Sequence, residues 1–401
     1  MKRTMLVLST LVLAAIALAA CGGGAQEFTC EDPLGCVTYG PDEPIRIASA
    51  LVISGANAQL GLDSQYGVEI AMDMRGPVDG HSVELQAEDD GCSAEGGQAA
   101  GQKIVSDPSI LGVIGTSCSG AGVPMAQVIS DAGYFMVSPS NTAPSLTDPT
   151  QAWKPGYLRT AHNDKVQGAA IADFAYNELG LTTAAAIHDG DPYTEGLANA
   201  FRTSFEELGG TVVAFTAINV GDTDMRPVLT AVAAAGPPEF IYFPVFTAEC
   251  AFLAKQSKEV AGLENTIVAA ADGCISDAAA AAIGDSNEGM YFSGPDIAYT
   301  GALYDTFKAK YKEMFGSDTL SVFHAHAFDA ANMIFDCVEE VGVTDDAGLH
   351  IGRQAMRTCL YATSGHQGIT GTLTCDQYGD CADPKISVSE LQGGEYVRIW
   401  P

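Results

Sequence analysis

The segment 109–149, SILGVIGTSCSGAGVPMAQVISDAGYFMVSPSNTAPSLTDP, constrains the fold more than any other stretch. Two short, unbroken apolar runs, 110–114 and 134–137, are each followed by small hydroxyl residues. Such runs suit strands buried on both faces of a parallel sheet. Between them, 120–133 places Val123, Gln127, Ile129 and Ser130 for one helical crossover, and Pro124 fits only in the first turn of that helix. The segment therefore reads as one βαβ unit. Its two strand ends deliver Thr116, Ser117 and Ser119, then Ser138, Ser140, Asn141 and Thr142, to the same sheet edge. Ligands of open α/β sheets bind at that carboxyl edge. Free backbone N–H groups at a helix start, joined by hydroxyls, form a neutral cradle for an anion. Either loop alone is ordinary turn chemistry; both together at one edge read as a site.

The same rhythm runs along the chain. Strands are predicted at 45–53, 82–88, 156–160, 184–188, 212–218, 240–243, 266–270 and 289–293. Helices are predicted at 63–74 with Asp63 as cap, 93–106, 164–179, 193–208, from 224, 247–261, 275–283, 301–315, 321–341 and 349–361. The tail segments 369–373, 386–391 and 396–399 read as closing strands, and Asp345-Asp346 as a plain loop. Alternating strands and helices signal a mostly parallel sheet with helices on both faces. A length of 401 residues exceeds one ordinary core, so two lobes are expected.

Residues 1–21 stand apart. Lys2 and Arg3 precede a nearly pure apolar run from Leu6 to Ala17, and Leu18-Ala19-Ala20-Cys21 ends it. This reads as an export signal, too short for an ordinary transmembrane helix. Its ending resembles the bacterial lipobox, in which the cysteine, here Cys21, is lipidated. A lipid on Cys21 would be the chain's membrane contact, and 22–43 a polar tether with little regular structure. The ten cysteines after Cys21 form an even set in an exported chain, which reads as disulfides. Connectivity is not fixed by sequence. Nearest-neighbour pairing is the working expectation: Cys30–Cys36, Cys92–Cys118, Cys250–Cys274, Cys337–Cys359 and Cys375–Cys381. The set lacks C-x-x-C and the histidines are scattered, so no metal and no cofactor are expected. A formal charge of −31 repels nucleic acid and anionic lipid surfaces.

From about Pro44 to Pro401 the chain resembles the solute-binding proteins of branched-chain amino acid ABC importers, the type I periplasmic binding fold. SGANAQLG at 54–61 and SPSNTAPSLT at 138–147 look like its ligand loops. EDDGC at 88–92 and IGTSCSG at 114–120 look like the strand ends that bear its bridging cysteines. LRTAHNDKVQG at 158–168 and GMYFSGP at 289–295 look like crossovers, and HDGDPYTEGLA at 188–198 and AADGC at 270–274 like second-lobe ligand segments. The resemblance implies an α/β fold of two Rossmann-like lobes joined by a three-crossover hinge. Lobe 1 would hold 44–159 plus 294–365 and lobe 2 would hold 160–293 plus 366–401.

It also implies a site for an α-amino acid in the cleft. Ser119 and nearby amides would take the carboxylate. The Ser140 carbonyl and Thr142 hydroxyl, with the Asn141 backbone nearby, would take the ammonium. Asp272 would supply the counter-charge, and Tyr193 would reach across. Leu60 and Phe246, where the family often has aromatic residues, point to an apolar side-chain pocket, for a branched-chain or other apolar amino acid. The implied partners are that amino acid and a membrane ABC permease; a monomer outside the cytoplasmic membrane is expected. Two alternatives stay open at this level: another solute, such as an amide, urea or aromatic acid, or a ligand-sensing receptor role. A hydrolase is disfavoured. Gly115-Thr116-Ser117-Cys118-Ser119 misses the last glycine of G-x-S-x-G, and His188, His324, His326 and His366 lie in no recognisable catalytic setting.

Overall fold

The computed structural model describes residues 28–401, so the leader, Cys21 and the start of the tether lie outside the described residues. Two sheets organise the chain. The first runs Val83–Asp89, Ile45–Leu51, Ile110–Gly115, Met136–Ser138, Tyr157–Arg159, with every pair parallel. The second runs Glu395–Trp400, Ile386–Gln392, Tyr291–Pro295, Ile267–Ala271, Phe240–Tyr242, Thr183–His188, Thr211–Ala217. Its last five strands are parallel, while 386–392 and 395–400 add as an antiparallel edge.

Parallel strands must be covered on both faces, and the side-chain alternation of the strands shows how. In the first sheet Ile47, Leu111 and Ile114 face a core with Val68 and Ile70 of the Ala58–Arg75 helix and Phe328 and Ile334 of the His324–Val341 helix. Ala48, Ile110 and Val113 face the opposite core, with Ile104 of the Ala94–Val105 helix and Met125 and Ile129 of the Ser119–Asp131 helix. The second sheet splits its residues in the same way. Ala184 and Tyr242 face Phe201 and Phe205, and Ala185 and Ile241 face Leu229 and Leu253. The chain passes between the two sheets at 160–163, 296–301 and 382–385.

Disulfides join Cys30 to Cys36, Cys92 to Cys118, Cys250 to Cys274, Cys337 to Cys359 and Cys375 to Cys381. Among the described residues no helix is long and apolar enough to cross a membrane.

Several local expectations need correction. The supposed tether is docked: Cys36–Tyr39 pairs antiparallel with Gly348–Gly352, and Val37 and Tyr39 are buried in the first core. Accordingly 348–352 is a strand, and the helix expected from 349 starts only at Arg353. Asp345 belongs to the Val343–Asp345 strand and accepts from Phe28 N at 3.0 Å and pairs with His350 Nε2 at 2.9 Å, so it is no plain loop residue. Asp63 is not a cap of its own helix, which begins at Ala58. It is buried and accepts from Leu320 N at 2.9 Å and His324 N at 2.9 Å, capping the start of the 324–341 helix instead. Pro124 lies past the first turn of the 119–131 helix and removes the bond its N–H would make to Gly120 O. The lobe boundary at 366 is too early. Leu373 and Cys381 pack in the first core, and the second sheet is rejoined only at Ile386.

Candidate functional site

The carboxyl edge of the first sheet meets the second lobe in a narrow crevice. Leu60, Ser119, Ser140, Tyr193, Phe246 and Asp272 line one end of it, together with Ser117, Cys118, Gly273 and Phe323. Leu60, Asp272 and Gly273 continue into the other end, where Asn57, Thr247, Ser276 and Ser321 join them. The crevice is closed in this structure by bonds between the lobes. Gln59 Oε1 accepts from Ala278 N at 2.9 Å, and Ser321 Oγ donates to Ile275 O at 3.0 Å.

The first-lobe wall is fixed by its own hydroxyls. Ser138 Oγ donates to Thr116 O at 2.8 Å, and Ser140 Oγ donates to Ser117 O at 2.9 Å. Asn141 Nδ2 donates to Thr116 O at 3.0 Å and Ser117 O at 3.1 Å. Asn141 is therefore a tie between the two loops, fully buried, and does not line the crevice. Ser119 Oγ accepts from Ala143 N at 3.2 Å, and Ser117 Oγ accepts from Val52 N at 3.0 Å. Behind both loops, Asp90 takes Ser117 N at 2.6 Å and Cys92 N at 2.8 Å, and burial pushes its carboxyl up to about 7. The Cys92–Cys118 disulfide ties the same segments covalently. On the far side of the loop, the buried Arg159 guanidinium donates to Asn141 O at 3.2 Å, Ala143 O at 2.8 Å and Thr147 Oγ1 at 2.9 Å, and pairs with Asp380.

The second-lobe wall is acidic. Asp272 follows the Ile267–Ala271 strand and is 3% exposed. Its Oδ1 accepts from Gln167 Nε2 at 2.6 Å and from Tyr193 OH at 3.3 Å, and Tyr193 OH accepts from Gly273 N at 3.2 Å. Burial pushes the Asp272 carboxyl up to about 6. The Tyr193 and Phe246 rings stand 5.3 Å apart and cover this cluster. Tyr193 thus faces the crevice while held within its own lobe.

Two acids that the sequence reading did not single out belong to the same region. Asp164 opens the Asp164–Asp173 helix, and its N–H donates to Thr142 O at 3.0 Å. It is fully buried, and neither carboxylate oxygen nor the adjacent Thr142 hydroxyl makes a well-formed hydrogen bond. Burial, and then the Asp272 charge, hold the Asp164 carboxyl far above the usual range. Thr142 lies beside Asp164 rather than on the crevice surface. Asp191 caps the Pro192–Glu207 helix through Tyr193 N at 2.8 Å and also reaches Gly120, at the start of the 119–131 helix in the opposite lobe. A Cβ on Gly120 would fall 2.0 Å from Asp191 Oδ2, so a larger residue there would push the Asp191 carboxylate off its bond to the opposite lobe. Burial raises the Asp191 carboxyl to about 6. The sequence signal for these acids was weak. Each lies at a helix start, and its burial depends on segments remote in sequence.

The site thus sets hydroxyls and amide groups on one wall against the buried Asp272 carboxyl on the other, whose charge also acts on the buried Asp164. An incoming cation offsets such a buried charge more strongly than a neutral hydrogen-bond donor does. Among the described residues no group of three or more His, Cys, Asp and Glu side chains could hold a metal ion. A groove of about 820 Å³ on the surface by Ser145, Lys165, Glu195 and Arg202 does not reach Asp272.

The chain is similar to known proteins along most of its length. A family model described as periplasmic binding protein matches residues 44–377. The leucine-, isoleucine-, valine-, threonine- and alanine-binding protein of Pseudomonas aeruginosa is 29% identical over 358 residues, covering 87% of this chain and 90% of that protein. The crystal structure of the leucine binding protein LivK from Thermotoga maritima superposes with a TM-score of 0.80 at 25% identity, covering 88% of this chain and 97% of that one. The branched-chain amino acid transporter substrate binding protein LivJ from Streptococcus pneumoniae, in complex with isoleucine, gives 0.77 at 20% identity, covering 90% of this chain and all of that one.

Proposed function

This chain belongs to the periplasmic binding protein family, and from that premise we propose that it is the extracytoplasmic solute-binding component of an ABC importer, capturing an amino acid between its lobes and delivering it to a membrane permease. The family consists of solute-binding proteins rather than enzymes. The local bonding agrees with that. Cys118 is in a disulfide, and the hydroxyls of Ser117 and Ser119 accept from backbone amides rather than facing a histidine.

The observation that carries the amino-acid reading is the buried Asp272 carboxyl opposite a neutral hydroxyl wall. An ammonium offsets the first; a carboxylate is held by the second. Ser119 and nearby amide groups take the carboxylate at low reorganisation cost because they are already fixed. The Ser140 carbonyl and Asp272 take the ammonium, with Thr142 and Asp164 behind them. Leu60, Phe246 and Tyr193 cover the side chain, which suits a branched-chain or similarly apolar amino acid. An amide, urea or aromatic acid brings no ammonium and leaves Asp272 without a counter-charge. Closure follows from differential contact: the lobe bearing Tyr193 and Asp272 meets the ligand only when the crevice shuts.

Titration calorimetry of the exported chain against a panel of amino acids is expected to give saturable binding for at least one of them. Flat isotherms across the panel sink the reading. We further propose that residues 1–21 act as a lipoprotein leader, that the chain is anchored through lipid on Cys21, and that it works as a monomer. Cys21→Ser is expected to move the protein from the membrane fraction to the soluble extracytoplasmic fraction; continued membrane retention counts against the anchor.

A further inference from the structure

The far end of the crevice differs in character from the end covered by Leu60 and Phe246. Asn57, Gln59, Thr247, Ser276 and Ser321 line it, and none of its described lining residues is Lys or Arg. Most of these polar groups are committed to the protein. Gln59 Oε1 accepts from Ala278 N at 2.9 Å, Ser276 Oγ accepts from Ala279 N at 3.1 Å, and Ser321 Oγ donates to Ile275 O at 3.0 Å.

Asn57 is different. It occupies the N-cap position of the 58–75 helix, where an asparagine side chain ordinarily accepts from the first turn, yet it makes no capping bond. Its Oδ1 is shut off from solvent and has no hydrogen-bond partner. A buried polar atom without a partner is unfavourable. The helix it precedes does not account for its orientation.

We infer that Asn57 is a specificity-determining residue, set to pair with a hydroxyl or carboxamide at the end of the ligand's side chain, so that amino acids such as threonine, asparagine or glutamine bind at least as well as purely hydrocarbon ones. This rests on the amino-acid reading above and extends its side chains from purely apolar ones to those with a polar end. An acidic side chain is excluded because no cation lines that end of the crevice. A hydrocarbon side chain fits the apolar half but leaves the Asn57 amide unpaired. Sites built to bond a polar group discriminate against analogues lacking it more sharply than apolar pockets discriminate by size.

The test is calorimetry with leucine, threonine and glutamine on the full exported chain and on Asn57→Leu and Asn57→Ser. Because Asn57 makes no cap bond, neither change removes one, and thermal melting checks that each variant folds. Asn57→Leu is expected to strengthen leucine binding and to weaken binding of the better polar ligand, shifting their affinity ratio by about tenfold or more. Asn57→Ser, which keeps a short hydrogen-bonding group, is expected to shift it less. If the wild-type chain binds these amino acids and the ratio stays unmoved in both folded variants, or if leucine outcompetes both polar ligands on the wild-type chain, the inference about Asn57 fails while the amino-acid reading stands. If the wild-type chain binds no amino acid at all, both fail.

Discussion

Asp272→Ala is expected to weaken amino acid binding by at least about 2 kcal/mol, roughly thirtyfold, because a buried ammonium loses its charged partner. The substitution removes the acceptor of the Gln167 and Tyr193 bonds but leaves both side chains anchored, since Gln167 Nε2 also donates to Ser293 O at 3.1 Å and Tyr193 OH also accepts from Gly273 N at 3.2 Å. The loss should therefore appear in affinity more than in melting temperature. The pH dependence carries the sign. Burial holds the ligand-free Asp272 at about 6, so below that pH it is mostly neutral, and an ammonium must then displace a proton to bind. Affinity should fall as pH drops from about 7 to 5. Asp164 and Asp191, also raised by burial, add in the same direction. Asp272→Asn should flatten part of that dependence. Calorimetry at several pH values checks both statements, and unchanged affinity in Asp272→Ala removes this residue from the site.

Arg159→Met is expected to destabilise the folded chain by about 3 kcal/mol, because three buried acceptors lose a charged donor and the partly exposed Asp380 loses its partner. Arg159 has no exposed surface and its guanidinium joins four partners: Asn141 O, Ala143 O, Thr147 Oγ1 and Asp380. Three of these belong to the ligand loop at 138–147, and Asp380 lies on the segment approaching the last passage between the sheets. Methionine fills much of the volume but satisfies none of the acceptors. Lysine restores the charge but offers no planar fork, so Arg159→Lys should recover only part of the loss. Urea unfolding monitored by circular dichroism measures it. A midpoint equal to that of the parent would show that the guanidinium is dispensable.

The apolar runs made most of the strands legible, because a strand buried on both faces leaves an unbroken hydrophobic signal. The run 110–114 followed by Thr116, Ser117 and Ser119 is enough to place one wall of the crevice at a sheet edge. The short edge strand Cys36–Tyr39 was not legible. It sits among turn residues, and its partner 348–352 carries an apolar pattern equally suited to a helix start. Asp63 illustrates a second limit. A carboxyl near a helix start reads as a local cap, but this one serves a helix more than 250 residues away in the chain, at 2.9 Å from His324 N. Asp164 and Asp191 show a third. Their chemistry arises from burial between segments remote in sequence, and no local pattern encodes that. Asn57 shows the same from the opposite side, since an asparagine before a helix looks fully explained until its missing bond is seen.

The placement of the cross-links has its own consequence. Cys92–Cys118 backs the hydroxyl wall, and Cys250–Cys274 braces the turn that holds Asp272, while no described disulfide bridges the gap between them. Oxidation during secretion thus stiffens each jaw of the molecule and leaves its joint unstapled. Loss of either brace should blur recognition without locking the bite, so that mild reduction degrades how selectively the protein holds its cargo before it impairs opening and shutting.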